Sequence, residues 1–420
     1  MFNSTAALAS MFVSILLLLL NFYVVSKRGI SFACLFVFSI YGYFYPILFL
    51  NEIKFIADGL YVLPLATGAR ISLWLGILWM ILIAWFFSPH VQRDALEHEA
   101  KESINSRYLG ILFALIVFAT MLLVIAKHGL GLQGRSKADF MSGIGYDYKL
   151  FLISGLVLLI YSWLRKGLFL RILAFSVVVF DLSYGFRGML ASSIVLYFLV
   201  SNENNFKKIF YRFGLGFLFF VALVVFKVSS YGALGLEELA SRLNVVSFSD
   251  FLDLIVLANS ESSTISAVFN EVVRQDYSIS FSYLLGAFFS PIPLAGAFGA
   301  PIVEFSEFYK SVVFGEEGSS FASGFLAVGY AIGGYGGVAL IFIFYSFVAI
   351  LVNRYINSEN IVFRIMVLVL AIMSLITFPR SDFVYSFGAL RSYLLFVLVL
   401  YVVVAVLRTI SKGYLSKRTD

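Results

Sequence analysis

Residues 171–200 read RILAFSVVVFDLSYGFRGMLASSIVLYFLV, thirty positions of which only Arg171, Asp181 and Arg187 carry charge. The arms flanking DLSYGFRGML are almost wholly apolar, and the basic residues Arg171 and Lys207 bound them. Each arm is then about 15 residues, roughly 22 Å of helix at 1.5 Å per residue, against about 30 Å of hydrocarbon. A hairpin this short enters a membrane from one side, and its turn falls below the opposite surface. Asp181 and Arg187 are thereby expected at the floor of a protein-lined cavity. Charge at such a depth is costly unless paired or wetted, and it marks a functional site by default. Gly185 and Gly188 suit a tight turn with close approach of a ligand to the backbone. The alternative is an Asp181–Arg187 pair that only pins the hairpin.

The same pattern recurs along the chain. Of 420 residues, 61% are hydrophobic and 13% charged, about half the charge of a soluble domain. Several separate apolar runs of roughly 15–25 residues recur, bounded by Lys/Arg or by Gly/Pro, against the about 20 that a helix needs to cross the hydrocarbon. The runs are continuous and do not alternate, which excludes a β-barrel. An all-α polytopic membrane protein is expected, with spans near 5–25, 30–50, 70–87, 108–126, 149–164, 171–184, 188–201, 212–228, 323–352, 362–378 and 391–408. One missed or re-entrant span makes the number 11 or 12. The first run lacks basic residues before it and has Lys27 and Arg28 after it, the reverse of a secretory signal. Cys34 is the single cysteine, so no intrachain disulfide can form.

Segments 26–29, 88–107, 165–171, 202–212, 353–364 and 408–420 hold 17 of the 30 basic residues. Lys and Arg accumulate in cytoplasmic loops, which places this set inside and the N-terminus outside. Three regions follow: a bundle over 1–228, a large external loop over 229–321, and a second bundle with its tail over 322–420. The loop holds 11 of the 24 acidic residues and three basic ones, Arg242, Arg274 and Lys310. EELASRLNVV and FSDFLDLIVLA within it have the three-to-four spacing of short amphipathic helices. FFSPIPLAGAFGAP carries Pro291, Pro293 and Pro301, which break helices, so it lies along the membrane surface or dips into it.

Arginines dominate the candidate residues. Arg380 and Arg391, in TFPRSDFVYSFGALRSY, flank another outward mouth, where Pro379 ends a helix. Arg suits phosphate because its planar fork donates two hydrogen bonds at once. Arg242 and Arg274 either face an anion or pair with Glu238, Asp276 or Glu271. A base for glycosyl transfer would be a carboxylate or a histidine, with Glu261 and Glu271 the loop candidates. His90 and His98 fall in a charged inner loop, and His128 stands alone at the outer end of the fourth span. No HExxH, clustered Cys/His or DxD pair points to a metal. No phosphate loop supports an ATP-driven pump, and GLGLQGRSKADF lacks the strand–helix context of a nucleotide site. No cofactor is expected, and no nucleic-acid partner.

SYGFRG (183–188), FSPIPLAGAFG (289–299), GSSFASGFLAVGYAIGGYGGV (318–338) and, more weakly, PRSDF (379–383) resemble the bacterial O-antigen polymerase family. The likeness covers about residues 140–400, in architecture more than in identity. It implies a GT-C-like membrane glycosyltransferase of the inner membrane, inverting and metal-independent, with its active site on the periplasmic face. The growing glycan would pass from undecaprenyl diphosphate to the nonreducing end of an incoming lipid-linked repeat unit. The resemblance implies that Arg187, Arg242, Arg274, Arg380 and Arg391 bind the diphosphate, with Arg187, Arg274, Glu261 and Glu271 catalytic. It also implies membrane lipid and a chain-length-regulating membrane protein as partners. O-antigen ligases share the architecture but rely on a histidine in the large loop, and residues 229–321 contain none. A polysaccharide flippase is the competing class, although the two similar halves usual in transporters are not visible.

Overall fold

The computed structural model describes residues 5–56, 60–87, 104–130, 146–165, 168–184, 186–200, 211, 214, 260–289, 305, 323–356, 358 and 360–416. Among these the elements are α1 (Thr5–Arg28), α2 (Phe32–Phe49), β1 (Glu52–Ile56), β2 (Leu60–Pro64), α3 (Thr67–Phe87), α4 (Ile104–His128), α5 (Tyr146–Arg165), α6 (Leu168–Ser183), α7 (Gly188–Val200), α8 (Ser260–Arg274), α9 (Ser282–Phe289), α10 (Gly324–Tyr355), α11 (Ile361–Ile372), a π-turn (Met373–Thr377) and α12 (Phe383–Ser416). Seven of the helices are long and apolar enough to cross a membrane. The protein is a multi-pass helical membrane protein. The described helices fall close to the expected spans, and the expected span over 212–228 lies outside the described residues. The antiparallel ribbon β1–β2, with Lys54 opposite Val62, was not expected.

The chain divides into two units, one of residues 1–91, 203–350 and 373–389, the other of 92–202, 351–372 and 390–420. In the first, α1, α2 and α3 pack side by side. The buried Ser14 hydroxyl donates to Leu48 O and accepts from Trp74 Nε1, so one polar side chain links all three helices. Arg28 lies 4.8 Å from the Trp85 ring centroid, a cation–aromatic contact at the end where basic and aromatic residues anchor helices at an interface.

Pro46 organises the middle of this unit. Proline has no N–H, so the carbonyl four residues back, that of Gly42, loses its helical partner. Phe44 has left helical geometry. Without water, such carbonyls need another donor. They receive it from α8, whose Ser262 hydroxyl donates to Gly42 O (2.9 Å) and Ser266 to Tyr43 O (3.2 Å). Ser39 and the Tyr43 hydroxyl in turn donate to the π-turn carbonyls of Leu375 and Ile376. The helices expected over EELASRLNVV and FSDFLDLIVLA lie outside the described residues; helix α8, from the same region, packs on α2. It starts beside the midpoint of α2 and runs to the β-ribbon, with residues 262–272 buried. Its polar face hydrogen-bonds inside the bundle, so polarity alone does not place a helix outside it.

Helix α10 also departs from expectation. In a straight helix, Phe325 and Phe344 would lie roughly 28 Å apart. Their ring centroids are 6.5 Å apart. Gly333 (φ −147°, ψ 22°) and Gly334 (φ 58°, ψ −143°) interrupt the helix, and the chain folds back there, so that Gly329 lies against Gly337. Residues 323–352 are thus not one span but a short arm, 324–332, and a return arm, 335–355. Positive φ at Gly334 is open to glycine at little cost. The return arm runs parallel to α3: Tyr335 lies by Gly68 and Phe342 by Gly76, and Trp79 Nε1 donates to Ser346 Oγ (2.8 Å). The short arm begins where the Pro379 carbonyl crowds Gly324 and the Phe325 N–H donates to Phe378 O (3.1 Å).

In the second unit α4, α6 and α7 pack on α5, and α11 packs on α5 and α7. Helices α6 and α7 have 16 and 13 residues, about 24 and 20 Å long. The opening hairpin is as short as its residue count requires.

Candidate functional site

The turn of that hairpin is built from Asp181 outward. Its side chain is fully buried at the end of α6. It accepts hydrogen bonds from the Tyr148 hydroxyl (2.8 Å) and the Met189 N–H (3.0 Å). The second bond caps the first turn of α7, whose leading N–H groups have no helical acceptor. Tyr148 packs on Tyr184 and Phe186, with ring centroids 5.8 and 5.1 Å apart, and the Tyr184 hydroxyl donates to Gly129 O. An aromatic layer thus fixes the turn from α4 and α5.

Arg187 stands at the start of α7, its carbonyl accepting from Ala191 N. Its side chain is half-buried. Among the described residues it makes no side-chain hydrogen bond and no ion pair. The Asp181–Arg187 pair is therefore not formed, because Asp181 is engaged by Tyr148 and the α7 backbone. The two charges have separate roles: the aspartate builds the turn, and the arginine is left beside a helix N-terminus, where dipole and N–H groups favour an anion. Asp181→Ala should strand the Met189 N–H and the Tyr148 hydroxyl, costing about 1–3 kcal/mol. Thermal unfolding in detergent would register this as a lower midpoint than in Arg187→Ala.

His128 does not stand alone. Its Nε2 lies 2.9 Å from Asp147 Oδ2, and Lys127 Nζ donates to Asp147 Oδ1 at 3.0 Å. Asp147 sits in the first turn of α5, where the helix dipole favours a carboxylate. The end of α4, the start of α5 and the α6–α7 turn thus meet at one end of this unit. Sequence reading missed the His128–Asp147 contact because 19 positions separate the two and no spacing rule links them. Arg391, also assigned to this unit, is half-buried on α12.

Glu271, Arg274 and Arg380 belong to the first unit. Glu271 is buried, and its carboxylate receives Arg274 Nε (2.8 Å), Arg274 Nη2 (2.6 Å) and Gln275 Nε2 (3.2 Å). Of the partners open to Arg274, the structure selects Glu271, three residues away on the same helix face. The Arg274 side chain stays 45% exposed, and the carboxylate beside it holds its guanidinium above the ordinary value. Asn270 fastens the helix, donating to Pro64 O (3.0 Å) and accepting from Ala66 N (2.7 Å). The Tyr330 hydroxyl donates to Asp276 (3.0 Å), and Ile279 N to Ala331 O (2.8 Å), tying the chain after α8 to the α10 tip. Asn270→Ala leaves two backbone groups unpartnered and should cost about 1–3 kcal/mol, read as a lower unfolding midpoint.

Arg380 is half-buried in the turn after the π-turn, its N–H donating to Thr377 O (3.1 Å). The next acidic residue, Asp382, is buried and accepts from Phe305 N and Tyr385 N. Arg242, the proline-bearing 291–301 stretch and the Glu261 side chain lie outside the described residues. Among the described residues no group of three or more His, Cys, Asp or Glu is placed to hold a metal ion. The chain matches no protein-family model, no curated protein and no solved structure.

Proposed function

We propose that the protein is a membrane glycosyltransferase that polymerises oligosaccharide repeat units carried on undecaprenyl diphosphate, at the periplasmic face of the inner membrane. One observation carries this reading: Arg187 is a half-buried cation, without an ion pair among the described residues, at a helix N-terminus in the turn of a short hairpin. That setting favours an anion at the end of a lipid-embedded helix pair. In the reaction, the acceptor hydroxyl oxygen bonds to the anomeric carbon of the growing chain. The bond from that carbon to the diphosphate oxygen breaks, and the diphosphate leaves with the electron pair. Arg187 meets the charge developing on it.

The hydroxyl proton goes to a base. Glu271 is poorly suited, since its oxygens already accept from Arg274, Gln275 and Asn270; we assign it to positioning Arg274. Among the described residues we assign the proton to the His128 imidazole, oriented by Asp147. The test is purified protein given a synthetic lipid-linked repeat unit, with a glycan ladder as the expected product.

A second reading rests on the re-entrant arm 324–332. Transporters bind substrate where discontinuous helices end at mid-membrane; α8 starts beside the middle of α2, and this arm starts beside Ile265 of α8 and the Phe378–Pro379 turn. Flipping of the lipid-linked unit across vesicles without ladder formation would establish transport and sink the polymerase.

A further inference from the structure

The tip of the α10 hairpin carries a group of side chains that the proposed reaction does not use. Asp276 follows α8 at φ 50°, the single non-glycine residue with positive φ among the described residues. The Tyr277 N–H donates to Val272 O (3.0 Å) and the Asp276 N–H to Val273 O (3.3 Å), a helix end at which glycine usually fills this position. An aspartate is kept there at a conformational cost. Its carboxylate receives the Tyr330 hydroxyl at 3.0 Å, but no cation, because Arg274 is taken by Glu271. Asp276 is exposed, and among the described residues its second oxygen has no donor.

Tyr330 is buried, and its ring stands edge-to-face with that of Tyr335, centroids 5.2 Å apart. Tyr335 is 53% exposed, and its hydroxyl end lies over Gly68, in the first turn of α3. A tyrosine that anchors a helix at a membrane interface keeps its hydroxyl in water. Here the hydroxyl turns back onto the protein, and the exposure is left to the ring. A fixed aromatic ring beside an open carboxylate matches a sugar. One face of a pyranose is made of C–H groups, whose partial positive charge suits the negative face of the ring. Its hydroxyls donate short, strong hydrogen bonds to an ionised carboxylate. An acyl chain has no donor for Asp276, and an anionic headgroup is repelled by it.

We propose that Tyr335 and Asp276 form a sugar-binding site that holds a pyranose of the oligosaccharide repeat unit, with Tyr330 fixing the ring and the carboxylate to each other. The identity of the glycan rests on the polymerase reading; Arg187, in the other unit, takes no part.

The test is calorimetric titration of the full-length protein, in nanodiscs, with the water-soluble repeat-unit oligosaccharide freed of lipid and diphosphate. Wild type should bind it. Tyr335→Ala should bind about tenfold more weakly, having lost the ring. Asp276→Asn keeps an acceptor for Tyr330 and tolerates positive φ, so its unfolding midpoint should match wild type. Its affinity should still fall about tenfold, because a neutral acceptor replaces a charged one. Absence of binding by wild type overturns the site, and so does either variant binding as wild type does; for Tyr335→Ala that result makes the ring an interfacial anchor. Ladder formation by the same preparation judges the polymerase reading separately. A ladder without oligosaccharide binding removes this site alone, and binding without a ladder removes the polymerase alone.

Discussion

Arg187→Ala inserts, folds and unfolds like the wild type but forms glycan about 10²–10³-fold more slowly, the usual cost of deleting one preorganised group that meets transition-state charge. The separation of activity from stability is the point of the experiment. Arg187 has no side-chain hydrogen bond or ion pair among the described residues, so removing it strands no partner. Asp181 holds the turn without it, through Tyr148 and Met189. Arg187→Lys keeps the charge but loses the two-pronged donor geometry, and should fall between wild type and Ala. Ladder length and initial rate on a synthetic lipid-linked repeat unit measure the first effect, and thermal unfolding the second. Long ladders from Arg187→Ala would reduce the arginine to a surface feature of the hairpin. A lowered midpoint together with lost activity would make it structural.

The helices were legible where hydrophobicity was continuous, because crossing a bilayer imposes a length that can be counted. The brevity of α6 and α7 came from the same counting. The role of Asp181 did not, since charge depth says only that a partner exists, and here the partners are a tyrosine 33 positions away and a backbone N–H. Helix α8 was not read as an element, for a related reason. The serines of SESSTISAVFN serve the Gly42 and Tyr43 carbonyls beside the Pro46 kink of α2. Only the three-dimensional neighbour explains that polarity. Glu271 and Arg274, three apart on one helix, were readable as a pair beforehand. The hairpin within α10 was not read, because GFLAVGYAIGGYGGVALIFIFYSF is apolar throughout. Its signal is the glycine spacing: a Gly333–Gly334 break, with Gly329 four residues before Gly333 and Gly337 three residues after Gly334.

That spacing supports the sharpest stability contrast in the chain. A Cβ at Gly337 would meet the Gly329 carbonyl oxygen at 1.8 Å and its carbon at 2.8 Å, whereas a Cβ at Gly336 meets nothing within 4 Å. The obstacle at Gly337 is backbone, which cannot rotate away as a side chain can, so the two arms would have to separate. Close helix approach through small residues is also the main attraction available between helices in lipid, where no hydrophobic force drives them together. Gly337→Ala should therefore cost at least the ~1–3 kcal/mol of an overpacked core. It should also loosen the tip contacts that Tyr330 and Ala331 make with Asp276 and Ile279. Gly336→Ala, one residue away and chemically identical, should change the midpoint little, or raise it by removing a flexible glycine from a helix. Unfolding midpoints of the two variants in one detergent give the comparison. Equal behaviour would mean that residues 324–355 do not fold back at Gly333–Gly334, and the re-entrant arm would be lost together with the transport reading that rests on it.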